Sequence, residues 1–258
     1  MKRFKKLILV FGFSGTAIFL SIGSIAHMQK TPDTGLVLGL RSVKDTYKLG
    51  EPISISIDLK NESEKKVRIL DGFNFAESKF QLQVSRDGQE YRGSNDPGWG
   101  TIDTINSRVD IEPGQSVSIN GNILWRMSAK NQPEFIFREP GNLFFRVLYD
   151  YKIDGTKDEM RLVSDPIEIT IVEPQGEDLE VWNKIKDDGN FAYLIQRDEI
   201  LIPSYKKEER SKFKQKVEEI IRTHPSNSYA ESLNQSLTKL NAAEEKRKAM
   251  IEKVSQPR

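Results

Sequence analysis

The residues with the clearest capacity for chemistry lie in a polar, glycine-rich stretch, residues 92–108. Trp99 stands between two glycines there, and the face of an indole ring can pack on a sugar or a peptide. Asp96 and Asp103 supply carboxylate oxygens of the kind that Ca²⁺ binds, but their spacing matches no known calcium loop. Trp99, Asp96 and Asp103 are therefore candidate ligand-binding residues, and no metal site is predicted. The alternative is that Trp99 packs over the end of a folded domain, as most large aromatic side chains do.

Catalytic groups are scarce in the rest of the sequence. It has no cysteine and two histidines, His27 and His224. His224 has no serine in a G-x-S-x-G setting to activate, and His27 would need a second nearby histidine to hold copper. The sequence also lacks the glycine motifs that bind phosphate groups. We therefore predict no catalytic residue, no metal and no cofactor, and we expect that the protein is not an enzyme.

The first 26 residues have the layout of a secretory signal. Residues 1–6 carry four positive charges and no acid, and residues 7–26 carry no charge. Ser24 and Ala26 are small residues at the positions that a signal peptidase reads, which fits cleavage after Ala26. The alternative is an uncleaved anchor, because about 20 apolar residues suffice to span a bilayer. Both predict export, either to the periplasm or the outside, or with the chain anchored to the inner membrane.

Export changes the charge of the mature chain. The full sequence has 39 basic and 38 acidic residues, and residues 1–26 hold four of the bases and none of the acids. The mature chain then has 35 bases against 38 acids, a net charge of −3. Such a chain has no electrostatic attraction to phosphate, so we predict no nucleic-acid partner. Membrane contact is expected only through residues 7–26, if they stay uncleaved.

Between residues 36 and 173 the sequence is a series of short apolar segments separated by turn residues. In ISISIDL, residues 53–59, apolar and polar side chains alternate, as in a half-buried strand. Other candidate strands lie at 36–43, 67–70, 80–84, 117–125, 143–149, 160–163 and 167–171. No helical period separates them, which predicts a mainly β region, an antiparallel sandwich of the immunoglobulin type. Residues 27–35, polar with Pro and Gly, are predicted to be a linker.

Three segments of this region resemble bacterial extracytoplasmic immunoglobulin-like domains. They are TYKLGEPISISIDLKNES at 46–63, IEPGQSVSI at 111–119 and EPGNLFFRVLYDY at 139–151. The resemblance covers most of residues 36–173 and implies an immunoglobulin-like β-sandwich. Because its motifs describe turns and strand entries, it implies a fold and no particular ligand.

The composition changes at Pro174, and residues 177–258 are predicted to form a helical appendix. An apolar face that includes Trp182 marks the first helix. Ser228 and Glu231 have the spacing of a capping box at the start of the last helix. Beyond residue 240 that helix turns polar, and its end is expected to be solvated and frayed.

Part of the helical region resembles the junction between helical hairpins in tetratricopeptide-like proteins. The similar segment is THPSNSYAESLNQSL at 223–237, and the likeness covers residues 213–240. A stable solenoid needs about three repeats, and the chain has room for two hairpins at most. The resemblance therefore implies a small helical segment that packs on itself or on the sandwich, and not a peptide-binding superhelix.

These features predict an exported, non-catalytic protein of the cell envelope. It would be a protein-interaction or structural module, with an unknown envelope protein or a glycan as its partner. The alternative is a carbohydrate-binding module or an envelope enzyme that acts through residues 92–108. We also expect residues 36–173 to fold without the helices, unless Trp182 is buried against the sandwich.

Overall fold

The computed structural model of the chain describes residues 29–30, 34–70, 73, 80–93 and 108–255. About 35% of these residues are in strands and about 30% in helices. The fold is therefore mixed: antiparallel sheets are followed by a C-terminal helical region, as expected, and the helical share is larger than a mainly β chain would have. One reason is the last helix, which runs to Ser255 through the polar segment expected to fray. That segment is rich in Ala, Glu, Lys and Arg, which favour helix even when they contact little.

Fourteen strands precede the helices among the described residues. They are β1 (Gln29–Lys30), β2 (Leu36–Ser42), β3 (Thr46–Lys48), β4 (Ile53–Asn61), β5 (Val67–Ile69), β6 (Phe80–Ser85), β7 (Arg92–Gly93), β8 (Val109–Ile111), β9 (Ser116–Ile123), β10 (Trp125–Met127), β11 (Pro133–Phe135), β12 (Gly141–Tyr151), β13 (Met160–Val163) and β14 (Ile167–Val172). Four helices follow: α1 (Glu177–Ile185), α2 (Asn190–Arg197), α3 (Lys207–Thr223) and α4 (Ser228–Ser255).

Two larger sheets contain most of the strands. The first has the order β1-β2-β4-β9, with every pair antiparallel. The second has the order β3-β14-β12-β6-β7, with β13 beside β12. Its pairs are antiparallel except β3, which runs parallel to β14. Two short antiparallel pairs, β10–β11 and β5–β8, lie outside these sheets.

The core follows from the alternation in the strands. Along β4 every second residue is buried, because successive side chains of a strand point to opposite faces of the sheet. Ile55, Ile57, Phe145 and Val147, which the pattern predicts to be buried, are each at most 2% exposed. This prediction is confirmed. Both sheets contribute to one continuous cluster of buried side chains.

The helices belong to that same cluster. Trp182 of α1 is 3% exposed, and its ring lies edge-on to Phe135 of β11 with the ring centres 4.9 Å apart. Tyr229 of α4 donates a hydrogen bond from its hydroxyl to the carbonyl oxygen of Leu49, in the turn between β3 and β4. Lys48, which precedes Leu49, forms an ion pair with Asp178 of α1. The strand and helix regions therefore share a core, although the chain passes from one to the other near Pro174.

The start of α4 differs from the predicted capping box. Asn227 precedes the helix, and its side-chain oxygen accepts hydrogen bonds from the backbone N–H groups of Tyr229 (2.9 Å) and Ala230 (3.3 Å). Asn227 is thus the N-cap, and Ser228 is the first residue of the helix. The Ser228 hydroxyl accepts a hydrogen bond from the amine of Lys48 (3.0 Å) and donates one to the carboxylate of Asp178 (3.3 Å). Among the helices that the structure describes, none has the length and apolar character to cross a membrane.

Candidate functional site

The predicted binding stretch, residues 92–108, is described only at its two ends. Asp96, Trp99 and Asp103 lie outside the described residues, so the structure gives no position for them. Arg92 and Gly93, the first two residues of the stretch, form β7 and pair with β6. They line a cleft of about 550 Å³. This volume is within the usual range for a small-molecule site.

The cleft lies between the β6–β7 hairpin and the β10–β11 pair. Its lining has an apolar part made of Val84, Ile136, Phe137 and Leu143 and a polar part made of Ser85, Arg86, Asp87, Glu90, Arg92 and Arg126. The Phe137 ring is held edge-on to the buried ring of Phe145, with 5.5 Å between centres. An apolar surface thus stands beside hydrogen-bonding side chains of both charges.

Asp87 organises the hairpin side of the cleft. Its carboxylate accepts hydrogen bonds from the Ser85 hydroxyl (2.7 Å) and from the backbone N–H groups of Gln89 (2.8 Å) and Glu90 (3.0 Å). These bonds favour the charged form and lower the pKa of Asp87 to about 2, the Ser85 bond having the largest effect. Gly88 completes the turn with φ of 74°, a conformation that suits glycine. The carboxylate is therefore ionised and is held in the turn by these three hydrogen bonds.

The three arginines of the cleft differ in their partners. Arg126 forms an ion pair with Glu134 of β11 (2.6 Å), and Arg86 forms one with the exposed Glu139 (3.2 Å). For Arg92, the described part of the chain offers no carboxylate within ion-pair distance. Arg92 is thus the guanidinium best placed to donate hydrogen bonds to a ligand. Glu90 can accept hydrogen bonds in the same space.

The opposite wall of the cleft is held from behind by helix α2. Trp125 of β10 lies edge-on to Tyr193 of α2, with ring centres 4.7 Å apart. Gly189, just before α2, is so close to β11 that an added Cβ would lie 1.8 Å from the carbonyl oxygen of Pro133. The helices therefore fix the strand pair that carries Arg126, although no helix residue lines the cleft.

His224, which the sequence singled out, and Asp110, which follows the 92–108 stretch, both have structural partners. His224 is 8% exposed and lies between Glu177, 3.0 Å from its Nδ1, and Lys184, 2.8 Å from its Nε2. Asp110 is bound by Arg68 and Lys66, whose hydrogen bonds lower the pKa of its carboxyl. Within the described ranges, no cluster of three or more His, Cys, Asp or Glu could hold a metal ion.

Several lining residues were not found from the sequence. Arg86, Arg126 and Phe137 belong to three different segments, and only the pairing of the strands brings them together. Asp-Gly is a common hairpin-turn pair, and Asp87-Gly88 does lie in the turn between β6 and β7. No local pattern, however, distinguishes these arginines from those elsewhere on the surface.

Comparisons with known proteins identify no relative. No protein-family model matches the chain, and no curated protein does. Among solved structures, a β-glucosidase from Listeria innocua in complex with isofagomine is 13% identical, with a TM-score of 0.28 over 55% of this chain and 16% of that one. The C-terminal domain of Wzt is 7% identical, with a TM-score of 0.34 over 59% of this chain and 81% of that one. Spo0M, a sporulation control protein from Bacillus subtilis, is 15% identical, with a TM-score of 0.27 over 58% and 54%.

These likenesses are too distant to carry an argument. The match spans 16% of the length of the β-glucosidases, so it covers a small part of those proteins. At TM-scores this low, none of the solved structures bears on the fold or the function of this chain. The site must therefore be judged from its own residues.

Proposed function

We propose that this protein is exported to the cell envelope and acts there by binding, without catalysis. Export rests on the charge and apolar pattern of residues 1–26, which lie outside the described residues. Deletion of residues 1–26 is expected to leave a folded protein in the cytoplasm. Cell fractionation checks this, and recovery of the truncated protein from the envelope would contradict it.

We also propose that the two larger sheets form an immunoglobulin-like sandwich. In that fold the first, second and fifth strands, A, B and E, share one sheet, and C, F and G share the other. The neighbours β2-β4-β9 and β6-β12-β14 fit these two sets, and side chains from both sets meet in one core. The parallel pair β3–β14 joins the chain between β2 and β4 to the second sheet. This order supports the proposal without help from any solved structure.

The ligand that fits the cleft best is a glycan. A sugar presents hydroxyl groups that both donate and accept, together with an apolar ring face. Arg92 and Arg126 can donate to such hydroxyls and Glu90 can accept from them, while Phe137 lies beside them as an apolar surface. This combination of both charges with an apolar lining is the observation that carries the proposal. A strongly acidic partner fits less well, because Glu134 and Glu139 already pair with two of the arginines.

The test is a titration of the full chain with a panel of neutral and acidic glycans, in which binding is monitored by tryptophan fluorescence. We expect saturable binding of one glycan class. Arg92→Gln should weaken that binding about tenfold or more, because a hydrogen bond from a charged donor is lost. Arg92 has no described ion-pair partner, so this change should leave stability almost unaltered.

Arg41→Gln is the matched control, since Arg41 is an exposed arginine on the first sheet and pairs with Asp58 there. It should bind the glycan as the natural chain does. If no glycan in the panel binds, or if Arg92→Gln binds as tightly as the natural chain, the glycan proposal is wrong.

A further inference from the structure

The charged side chains that line the cleft divide into paired and unpaired ones. Two of the three arginines pair with glutamates, and the Asp87 carboxylate is bound within the hairpin turn. The other two charged side chains of the lining are Arg92 and Glu90, and neither has an ion-pair partner among the described residues. A ligand in the cleft therefore meets one unpaired cation and one unpaired anion.

Strand pairing places Arg92 beside the apolar part of the cleft. Arg92 lies directly opposite Val84 in the β6–β7 pair, and both residues line the cleft. Side chains that are opposite each other in an antiparallel pair are on the same face of the sheet, with Cβ atoms about 4.5–5.5 Å apart. A Cβ added at Gly93 would meet no other described part of the chain within 4 Å, so the space next to Arg92 is open. Its guanidinium is thus exposed and stands beside an apolar wall.

We infer that the glycan bound in the cleft carries a carboxylate, as a uronic acid does, and that Arg92 binds this carboxylate. The inference rests on the proposed glycan site and names the class of its ligand. A guanidinium donates two parallel hydrogen bonds to a planar carboxylate, and such charge-assisted bonds are roughly twice as strong as neutral ones. A sugar hydroxyl offers the same guanidinium a single neutral oxygen, so a neutral glycan uses Arg92 less well.

The lining also limits how many acidic groups the ligand can bring. Glu90 stands two residues before Arg92, and its carboxylate repels a second acidic group while it accepts hydrogen bonds from hydroxyl groups. Because Arg86 and Arg126 are already paired with glutamates, a sulfated or phosphorylated glycan would bring more anions than the cleft has unpaired cations. The C-terminus of a peptide supplies a carboxylate too, but it lacks the hydroxyl groups that Glu90 can bind.

Isothermal titration calorimetry of the full chain tests the role of the carboxylate. The probes are oligomers of glucuronic, galacturonic and mannuronic acid, each beside its methyl ester, which keeps the stereochemistry and removes the charge. We expect at least one acid to bind about tenfold or more tightly than its ester, because the ester loses the charge-assisted pair. A peptide with a free C-terminus should not bind.

The outcomes separate this inference from the glycan site itself. If esters or other neutral glycans bind and no acid binds more tightly than its ester, the inference is wrong and the glycan site stands. If no glycan of either kind binds, the glycan site is wrong and the inference falls with it. Binding of the peptide in place of the glycans would assign the cleft to a different class of ligand and overturn both.

Variants at Arg92 test whether this residue provides the preference. Arg92→Gln keeps hydrogen-bond donors and loses the charge, so it should bind the acid and its ester equally. Arg92→Lys keeps the charge without the planar fork and should retain a smaller preference. Arg41→Gln, the exposed arginine of the first sheet, is the matched control and should keep the full difference. An undiminished preference for the acid in Arg92→Gln would overturn the assignment.

A variant of Glu90 tests the limit to one acidic group. Glu90→Gln should bind a sulfated uronic acid oligomer about threefold or more tightly than the natural chain does, because a like-charge repulsion is removed. Glu218→Gln is the control, since Glu218 is an exposed residue of α3 and does not line the cleft. If Glu90→Gln and Glu218→Gln bind the sulfated oligomer alike, Glu90 does not exclude a second acidic group and that part of the inference is wrong.

Discussion

At the scale of residues, position in a strand decides what a side chain does. Asp87 and Asp96 both stand beside glycine or polar residues in the sequence, yet Asp87 is bound to a turn by three hydrogen bonds. Asp110 is likewise held by two cations. An acidic residue in a loop is therefore a weak sign of a ligand site until its own hydrogen bonds are known. The arginines of the cleft become candidate ligand-binding residues only because strand pairing brings their segments together.

The turn at Asp87 should keep its hydrogen bonds to a lower pH than a turn held by an ordinary carboxylate would. Its carboxyl has a pKa lowered to about 2, against about 4 in an unfolded chain. A lowered pKa means that the turn is stabilised at pH above about 4 and that this contribution is lost as the pH falls through about 2. NMR titration of the carboxyl should show a midpoint near 2, with Gln89 and Glu90 amide protection lost over the same range. In Asp87→Asn that protection should not change between pH 4 and 2, and a midpoint near 4 in the natural chain would contradict the assignment.

The alternation in β4 predicts unequal costs for two neighbouring substitutions. Ile57 is fully buried, so Ile57→Ala should lower the free energy of unfolding by about 2–5 kcal/mol through lost burial and a cavity. Ser56 is on the opposite, partly exposed face, and Ser56→Ala should cost little. Denaturant unfolding of the two variants measures both. Equal costs would mean that Ile57 and Ser56 are wrongly assigned to the buried and the exposed face of β4.

At the scale of elements, the long strands were predictable, and so were the short β5 and β13, which match the candidate strands at 67–70 and 160–163. Several other short strands were not. The alternating segments at 53–59 and 167–171 and the more continuously apolar segment at 143–149 correspond to β4, β14 and β12, and each strand is longer by some residues than predicted. β3, β8, β10 and β11 have three residues each, which is too few to show a period of two. β3 pairs with the longer β14, and α2 packs against β10 and β11, whereas β8 pairs with the equally short β5. The cleft depends on β10 and β11, so this failure also hid the site.

The turn between β3 and β4 is where helix and sheet meet most closely. Gly50 has φ of 76°, and a Cβ added there would lie 2.6 Å from the Trp182 ring. Gly114 has φ of 74° with open space around it, so it isolates the cost of the backbone conformation. Gly114→Ala should cost about 1–2 kcal/mol of stability. Gly50→Ala should cost about 1–3 kcal/mol more, because Trp182 must move.

Thermal or denaturant unfolding of the two alanine variants gives this difference. If both glycines can be replaced at the same cost, the contact between Gly50 and Trp182 does not constrain the fold.

At the scale of the whole molecule, the change in composition near Pro174 marks a change of element and not of core. The sequence located that change well, because alternation stops there and acidic residues begin α1. It left open whether Trp182 would face the sheets, since one apolar helix face can pack on other helices equally well. In the structure Trp182 and Tyr193 pack on β11 and β10. The helices thereby support one wall of the cleft.

The central claim about this molecule is that the helices complete the hydrophobic core and support one wall of the cleft. The most direct measurement is the thermal unfolding of residues 36–173 expressed alone, beside the full chain. Because removal of α1 and α4 uncovers Phe135, Gly50 and Leu49, we expect the fragment to aggregate or to unfold without a cooperative transition. The full chain should unfold in one transition. A soluble fragment with its own cooperative transition would contradict the shared core and would mean that the strand region folds independently of the helices.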